Sequence, residues 1–318
     1  MKKMKKEQKK KILISLIVIF GTILILTVGY LIFQKVMSFS NQKRNEETQT
    51  TYAPSLVPGT SAPPGMTYPP QTELPPADSD STDPTAPKAE PVDNLVNIRD
   101  MQQQNPEVYS WIYIPDTMIS LPVLQSTVDD NFYLHHDWLK NDVFAGAIYS
   151  QSKNKKDYSD RVTVLYGHNM ADGSMFANLH YFSNEDFFDN HKYFYIYTED
   201  RRLTYEVVSA TNYDDKHILN SYDFSDDAVF SQWLEEAKNP RSPYSLSRSD
   251  VELDLNSKML VLSTCTDGGR FIVQGVLVRD EQTKRGQPLT AGRFCGANSR
   301  FGERQRKRAL YFGALCPR

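Results

Sequence analysis

The sequence predicts a mainly β domain of about seven or eight short strands with a few short helices, held behind an N-terminal transmembrane helix. Three observations carry this expectation. An uncharged apolar run, Ile12 to Phe33, follows a lysine-rich start. Between Asn94 and Asp280, runs rich in Val, Ile, Tyr and Phe recur, separated by turn residues. The two clearest runs, Met259 to Ser263 and Phe271 to Val278, flank Thr266-Asp267-Gly268-Gly269, so a hairpin is the economical reading. That hairpin would put the Cys265 thiol and the Arg270 guanidinium side by side at one rim of a sheet.

Residues 1–11 carry seven lysines and one glutamate. The 22 uncharged residues 12–33 are enough to cross a hydrocarbon core of about 30 Å as a helix. The run is longer than the apolar region of a cleaved signal peptide, and its exit offers no small-residue cleavage site. It reads as a signal anchor. The lysines should stay cytoplasmic and place the rest of the chain outside, in a single-pass topology. Residues 34–93 are expected to be a disordered linker. From Ser38 to Pro91 the composition is Pro, Thr, Ser, Gln and Asp with few large aliphatic side chains, so ordering entropy goes unopposed. As a coil it would span on the order of 40 Å.

Residues 94–280 form the folded domain, long enough to build a core without disulfides. Asn94 is the expected cap of a helix reaching Gln104. Trp111–Pro115 and Ser120–Leu124 read as strands, with Asp129–Leu134 a helical turn. Gly146–Tyr149 and Arg161–Tyr166 follow as strands, the second leading into Gly167-His168-Asn169. Ser174–Leu179 and Asn184–Asn190 read as short helices, and Tyr193–Thr198 with Leu203–Asn212 as a hairpin. Ser225–Lys238 has a Ser cap, acids in its first turn and helical apolar spacing at 229, 230, 233, 234 and 237. Residues 281–318 hold nine Lys and Arg against two Glu, with no helical or strand period. They read either as a basic extension suited to anionic wall polymers or as sequence foreign to the native protein.

The net charge of −3 averages segments of opposite character and is uninformative by itself; no nucleic-acid partner is expected. With only three cysteines, 265, 295 and 316, the chain is not a disulfide scaffold. No His/Cys pair has structural-zinc spacing, so no metal is expected. The candidate chemistry lies in Cys265, His168 and Arg270. A cysteine nucleophile needs a thiolate, which a neighbouring cation stabilises, and an acyl transfer needs a donor aimed at the oxyanion. Each has a plain reading as well: a small buried thiol, a packing histidine, a solvated strand-edge charge. His135, His136, His180, His191 and His217 read as surface or packing residues.

With these motifs in place, the chain resembles the sortases, Gram-positive cell-surface cysteine transpeptidases. Leu262-Ser263-Thr264-Cys265 matches the family signature, with Val261 where threonine is usual, and RFIVQG and the upstream VLYGHNM complete the pattern. The resemblance covers about 94–280. It implies a closed β-barrel of seven to eight strands, Cys265 as nucleophile, His168 as general acid/base and Arg270 as oxyanion or substrate stabiliser, with no cofactor. DDNFYLHHDW, the Gly146 strand and the 225–238 helix resemble class B members. Four residues between Cys265 and Arg270 make a shorter loop than is usual there, so Arg279 stays open as an alternative arginine. Leu134, Ser263 and Thr264 are candidates for lining the groove. The implied partners are secreted proteins with a C-terminal sorting signal, a peptidoglycan precursor amine and the bilayer. Two other readings remain: a catalytically silent wall-binding module, and a hydrolytic cysteine protease.

Overall fold

The structure is a computed structural model that describes residues 2–56, 92–266 and 268–284. Five α-helices occur among the described residues: α1 (Lys2–Tyr52), α2 (Ile98–Gln104), α3 (Glu185–Asn190), α4 (Ile218–Ser221) and α5 (Asp227–Lys238). The strands are β1 (Val92–Asp93), β2 (Val108–Tyr113), β3 (Ser120–Leu124), β4 (Ile148–Tyr149), β5 (Val162–Tyr166), β6 (Tyr193–Tyr197), β7 (Arg201–Tyr213), β8 (Leu246–Ser247), β9 (Met259–Thr266) and β10 (Gly269–Lys284). Short 3-10 turns cover Pro54–Leu56, Phe132–Leu134 and Ala177–Ser183.

Eight strands run in the order β10-β9-β5-β4-β3-β2-β6-β7, and β7 pairs with β10 to close the barrel. Closure removes free edges, the liability of an open sheet this size. β1 and β8 add short pairings to β10 and β7. Strand alternation sorts the side chains into two layers. Ile112, Val123, Ile148, Leu165, Ile196, Val207, Leu262 and Phe271, one from each of the eight strands, fill the interior. The outer face of β5 and β9, with Val162, Val164, Met259 and Val261, joins a second cluster that includes Phe230 and Trp233 of α5. Strands covered on both faces read as continuous apolar runs, which is why VTVLY and MLVL lack polar alternation.

The barrel and its short helices agree with expectation, but several local features differ. The first helix is capped by Asn97, which accepts from the Asp100 amide. Asn94 instead donates to the Thr198 and Glu199 carbonyls at 3.0 and 3.1 Å, tying the start of the domain to the β6–β7 turn. α5 is capped by Asp226 rather than Ser225, whose hydroxyl donates to Asp223. The hairpin strands are longer than predicted, because β10 serves as partner to both β9 and β7.

The largest difference lies before the domain. The apolar part of α1 is exposed along its length and is long and apolar enough to cross a membrane. The helix does not stop there: it runs to Tyr52, and Ala53 and Leu56 beyond it are buried. Residues 34–56 are therefore ordered, against the expectation of a linker. Once a helix is nucleated, each added residue needs only propagation, and Ala53 and Leu56 supply packing at the far end. Residues 57–91 and the tail from 285 lie outside the described residues.

Candidate functional site

Cys265 and Arg270 are direct partners across the β9–β10 ladder, so their side chains leave the same face of the sheet. The strands close one pair later, at Thr266 opposite Gly269, with two residues between. A Cβ on Gly269 would lie 2.5 Å from the Tyr213 carbonyl oxygen, so glycine lets β10 begin tight against β7. Cys265 is exposed, and by alternation it shares the outer face with Ser263 and Val261.

β5 runs parallel to β9, with Tyr166 level with Ser263. The Gly167 amide then donates to the Ser263 carbonyl at 3.2 Å. Two residues on from this pair stand His168, beyond the end of β5, and Cys265, still within β9. Asn169 ties the two strand ends together, its side-chain amide donating to the Cys265 carbonyl at 3.1 Å.

His168 is held by backbone and ring contacts. Its Nε2 lies 2.8 Å from the Leu134 carbonyl oxygen. A carbonyl only accepts, so Nε2 carries the proton and Nδ1 keeps the lone pair. The Phe144 ring stacks on the imidazole at 5.5 Å and 17°. Burial pushes the His168 pKa below its ordinary value, the Leu134 carbonyl works against that shift, and His135 adds to it. The imidazole is thus mainly neutral at neutral pH and able to take a proton.

Arg270 lies over the Tyr166 ring, its guanidinium carbon 5.6 Å from the ring centre. Burial pushes the Tyr166 phenol up to about 12, with Arg270 opposing. The ring is therefore a neutral platform for the cation. Tyr149 lies beside Tyr166, the rings tilted by 32° with centres 5.6 Å apart, and extends that platform along the outer face. Arg279, nine residues further along β10, pairs with Thr204, roughly 30 Å along the strand from the hairpin. It is not at this site.

The groove candidates separate. Leu134 contributes its carbonyl to His168. Ser263 is fully buried on the Cys265 face, and its hydroxyl has no hydrogen-bond partner among the described residues. Thr264 is a correction: it is fully buried, sits opposite Phe271 and by alternation faces the barrel interior, so it does not line the groove. Phe144, Asn169 and Tyr166 were not singled out from the sequence. Asn169 adjoins His168 in the chain, but the roles of Phe144 and Tyr166 depend on pairing across the fold. Of the remaining histidines, His180 packs on Phe271 at 4.8 Å and His191 on Phe187 at 3.7 Å. Among the described residues no group of three or more His, Cys, Asp or Glu side chains is placed to hold a metal ion.

A family profile described as the sortase domain matches residues 112–278, more than half of the chain. The chain belongs to the sortase family. Within it, the similarity is to class B. Sortase B of Listeria monocytogenes is 33% identical over 189 residues, covering 57% of this chain and 74% of the relative. The crystal structure of Clostridium perfringens sortase B superposes with a TM-score of 0.53 at 31% identity, covering 57% of this chain and 100% of that one. A Staphylococcus aureus sortase B–substrate complex gives a TM-score of 0.52 at 26% identity, covering 57% of this chain and 84% of that one. This class B sortase is accordingly a transpeptidase that attaches proteins to the cell wall.

Proposed function

We propose that this sortase is a membrane-anchored cysteine transpeptidase whose Cys265 cleaves a C-terminal sorting motif after threonine and passes the acyl group to a peptidoglycan amine. What supports the reading is the direct pairing of Cys265 with Arg270 across the β9–β10 ladder, with His168 following β5, the strand parallel to β9. In the first step Nδ1 of His168 takes the thiol proton and the sulfur attacks the threonine carbonyl. Arg270 donates to the oxyanion, and the imidazolium returns its proton to the leaving amine as the peptide bond breaks. In the second step an amine of the wall precursor attacks the thioester, Nδ1 of His168 takes the proton the amine loses, and the Cys265 thiolate leaves. The exposed apolar stretch of α1 serves as the anchor, and the lysines before it keep the N-terminus cytoplasmic and the barrel outside.

The test is a peptide-library assay on the full chain in detergent micelles, read by mass spectrometry. The expected result is a thioester on the Cys265 peptide that an added amine resolves to an amide product. Cys265→Ala should abolish the adduct, and an adduct that survives in that variant overturns the proposal. Equal product with and without amine would mark a hydrolase instead.

A further inference from the structure

The segment between Phe132 and Ala147 forms one flank of the site, and its shape is set by its own backbone. Val143 donates to the His135 carbonyl at 2.8 Å and Ala147 to the Tyr133 carbonyl at 2.9 Å, folding the segment back on itself. At its base the Leu134 carbonyl and the Phe144 ring meet His168. At its tip stands Trp138, and α1 holds that tip. The Trp138 indole donates to Thr48 Oγ1 at 3.1 Å, and the Tyr52 ring meets the indole edge-on at 5.4 Å and 81°. The loop that follows His168 is held by the same helix: Gln42 donates to the Asp172 carbonyl at 3.2 Å. Asn169 and Met175 pair across that loop, and the Phe176 amide returns to the His168 carbonyl at 3.0 Å. One helix therefore grips both chain segments that flank His168.

The grip has a second end. Ala53 and Leu56, just past the helix, are buried in the outer cluster, and the Asn97 amide donates to the Tyr52 carbonyl at 2.8 Å. A helix held at Gln42, Thr48 and Tyr52, and followed by the buried Leu56, has about three turns of contact, and its rigidity passes to the loops it touches. We infer that α1 beyond its apolar stretch is a brace for the active site, in which Thr48 and Tyr52 are positioning residues that hold Trp138 and, through its segment, the groups that orient His168. The inference rests on the reading of His168 as the acid/base. It makes the anchor and the site one mechanical body, so that the helix leaving the membrane sets the geometry of the reaction as well as its place.

The test uses the full chain in detergent micelles and needs no knowledge of the sorting motif. Iodoacetamide alkylation of Cys265 is followed against pH by mass spectrometry of the Cys265 peptide, in the wild type, Thr48→Val, Tyr52→Ala, the double variant and His168→Ala. His168→Ala identifies the part of the profile that belongs to the imidazole. In the double variant that inflection is expected to move towards the ordinary histidine value, as the loosened segment uncovers the ring. Where a substrate peptide from the library assay is in hand, acyl-enzyme formation read separately should fall by about tenfold, since sub-ångström misplacement of a catalytic group is costly. Thr48→Val and Trp138→Phe remove the same hydrogen bond, so combining them should cost little more than either alone. A profile in the double variant that superimposes on wild type overturns the brace. So does a lowered melting temperature with the inflection unmoved, which would make the contact merely structural. If His168→Ala itself leaves the profile unchanged, the reading of His168 falls, and the brace falls with it.

Discussion

Arg270 lies directly across the ladder from Cys265, and its guanidinium rests on Tyr166, a residue of the strand that leads to His168. The Cys265–Arg270 relation is set by backbone pairing, and Tyr166 then holds the long arginine side chain on the outer face. A cation over a ring contributes about 0.5–2 kcal/mol depending on its exposure.

Tyr166→Phe should retain the arginine platform and keep most of the acylation rate, whereas Tyr166→Ala should slow acylation by about tenfold, the equivalent of about 1.4 kcal/mol. Single-turnover acylation followed by mass spectrometry reads both. Equal rates in Tyr166→Ala and wild type would remove the ring from the account of Arg270.

Gly146→Ala should damage the site from behind. Gly146 has φ +59°, and an added Cβ would lie 2.5 Å from both the Tyr133 and Leu134 carbonyl oxygens. The Leu134 oxygen is the acceptor for His168, so it must shift to relieve the clash. The left-handed backbone alone costs about 1–2 kcal/mol in a non-glycine residue. The variant is expected to lose stability of that order in urea titration and to lose acylation activity at temperatures where it remains folded. Full activity in a folded variant would show that the Leu134 carbonyl is dispensable.

The acid limb of acylation should lie below the ordinary histidine pKa of 6.5, because burial disfavours the His168 imidazolium. For stability the sign follows from a depressed folded-state value: the contribution is present above about 6.5, where the unfolded chain is also neutral, and is lost as pH falls through the folded value. A pH–rate profile in wild type, with the His168 ring proton followed by NMR, checks the direction. An inflection above 6.5 would contradict the half-buried ring stacked on Phe144.

Glu107 should make the domain acid-sensitive. Burial pushes its carboxyl up, but bonds from Lys140, Tyr133 and Thr127 outweigh that and hold it down to about 2. The Lys140 ammonium lies 2.8 Å and the Tyr133 hydroxyl 2.6 Å from Oε2, and the Thr127 amide and hydroxyl donate to Oε1 at 2.8 and 2.7 Å. A carboxylate held from 4.5 down to about 2 contributes about 3 kcal/mol, fully present above pH 4.5 and lost as pH falls towards 2. Glu107→Gln should be destabilised by up to about this amount at pH 7. The gap from wild type should close by pH 2, in urea titrations at both pH values. A gap that does not depend on pH would refute the charge-based account.

The hairpin bearing Cys265 and Arg270 was legible because two β-branched runs flank a glycine turn, a local pattern that fixes register over a few residues. The helix of residues 225–238 was legible for the same reason, although its cap lay one residue from the expected one, since Ser225 and Asp226 are both capping residues and neighbouring contacts select between them. Thr264 shows the limit. Its neighbours mark it as part of the site motif, but strand alternation turns it inward, and which face is inward depends on the whole barrel.

By itself the sequence determined the elements whose signals are short-range: the apolar stretch, the recurring strands, the hairpin, and the residue types that cysteine chemistry needs. Tertiary structure alone decided three other matters. It set β5, the strand that leads to His168, parallel to the Cys265 strand β9, through contacts between residues nearly a hundred positions apart. It placed Arg270, not Arg279, across the ladder from Cys265, the two arginines standing nine residues apart on one long strand. And it turned residues 34–52, whose composition reads as linker, into helix, because burial of Ala53 and Leu56 and the hold on Trp138 supply from the domain the stabilisation that the local sequence lacks.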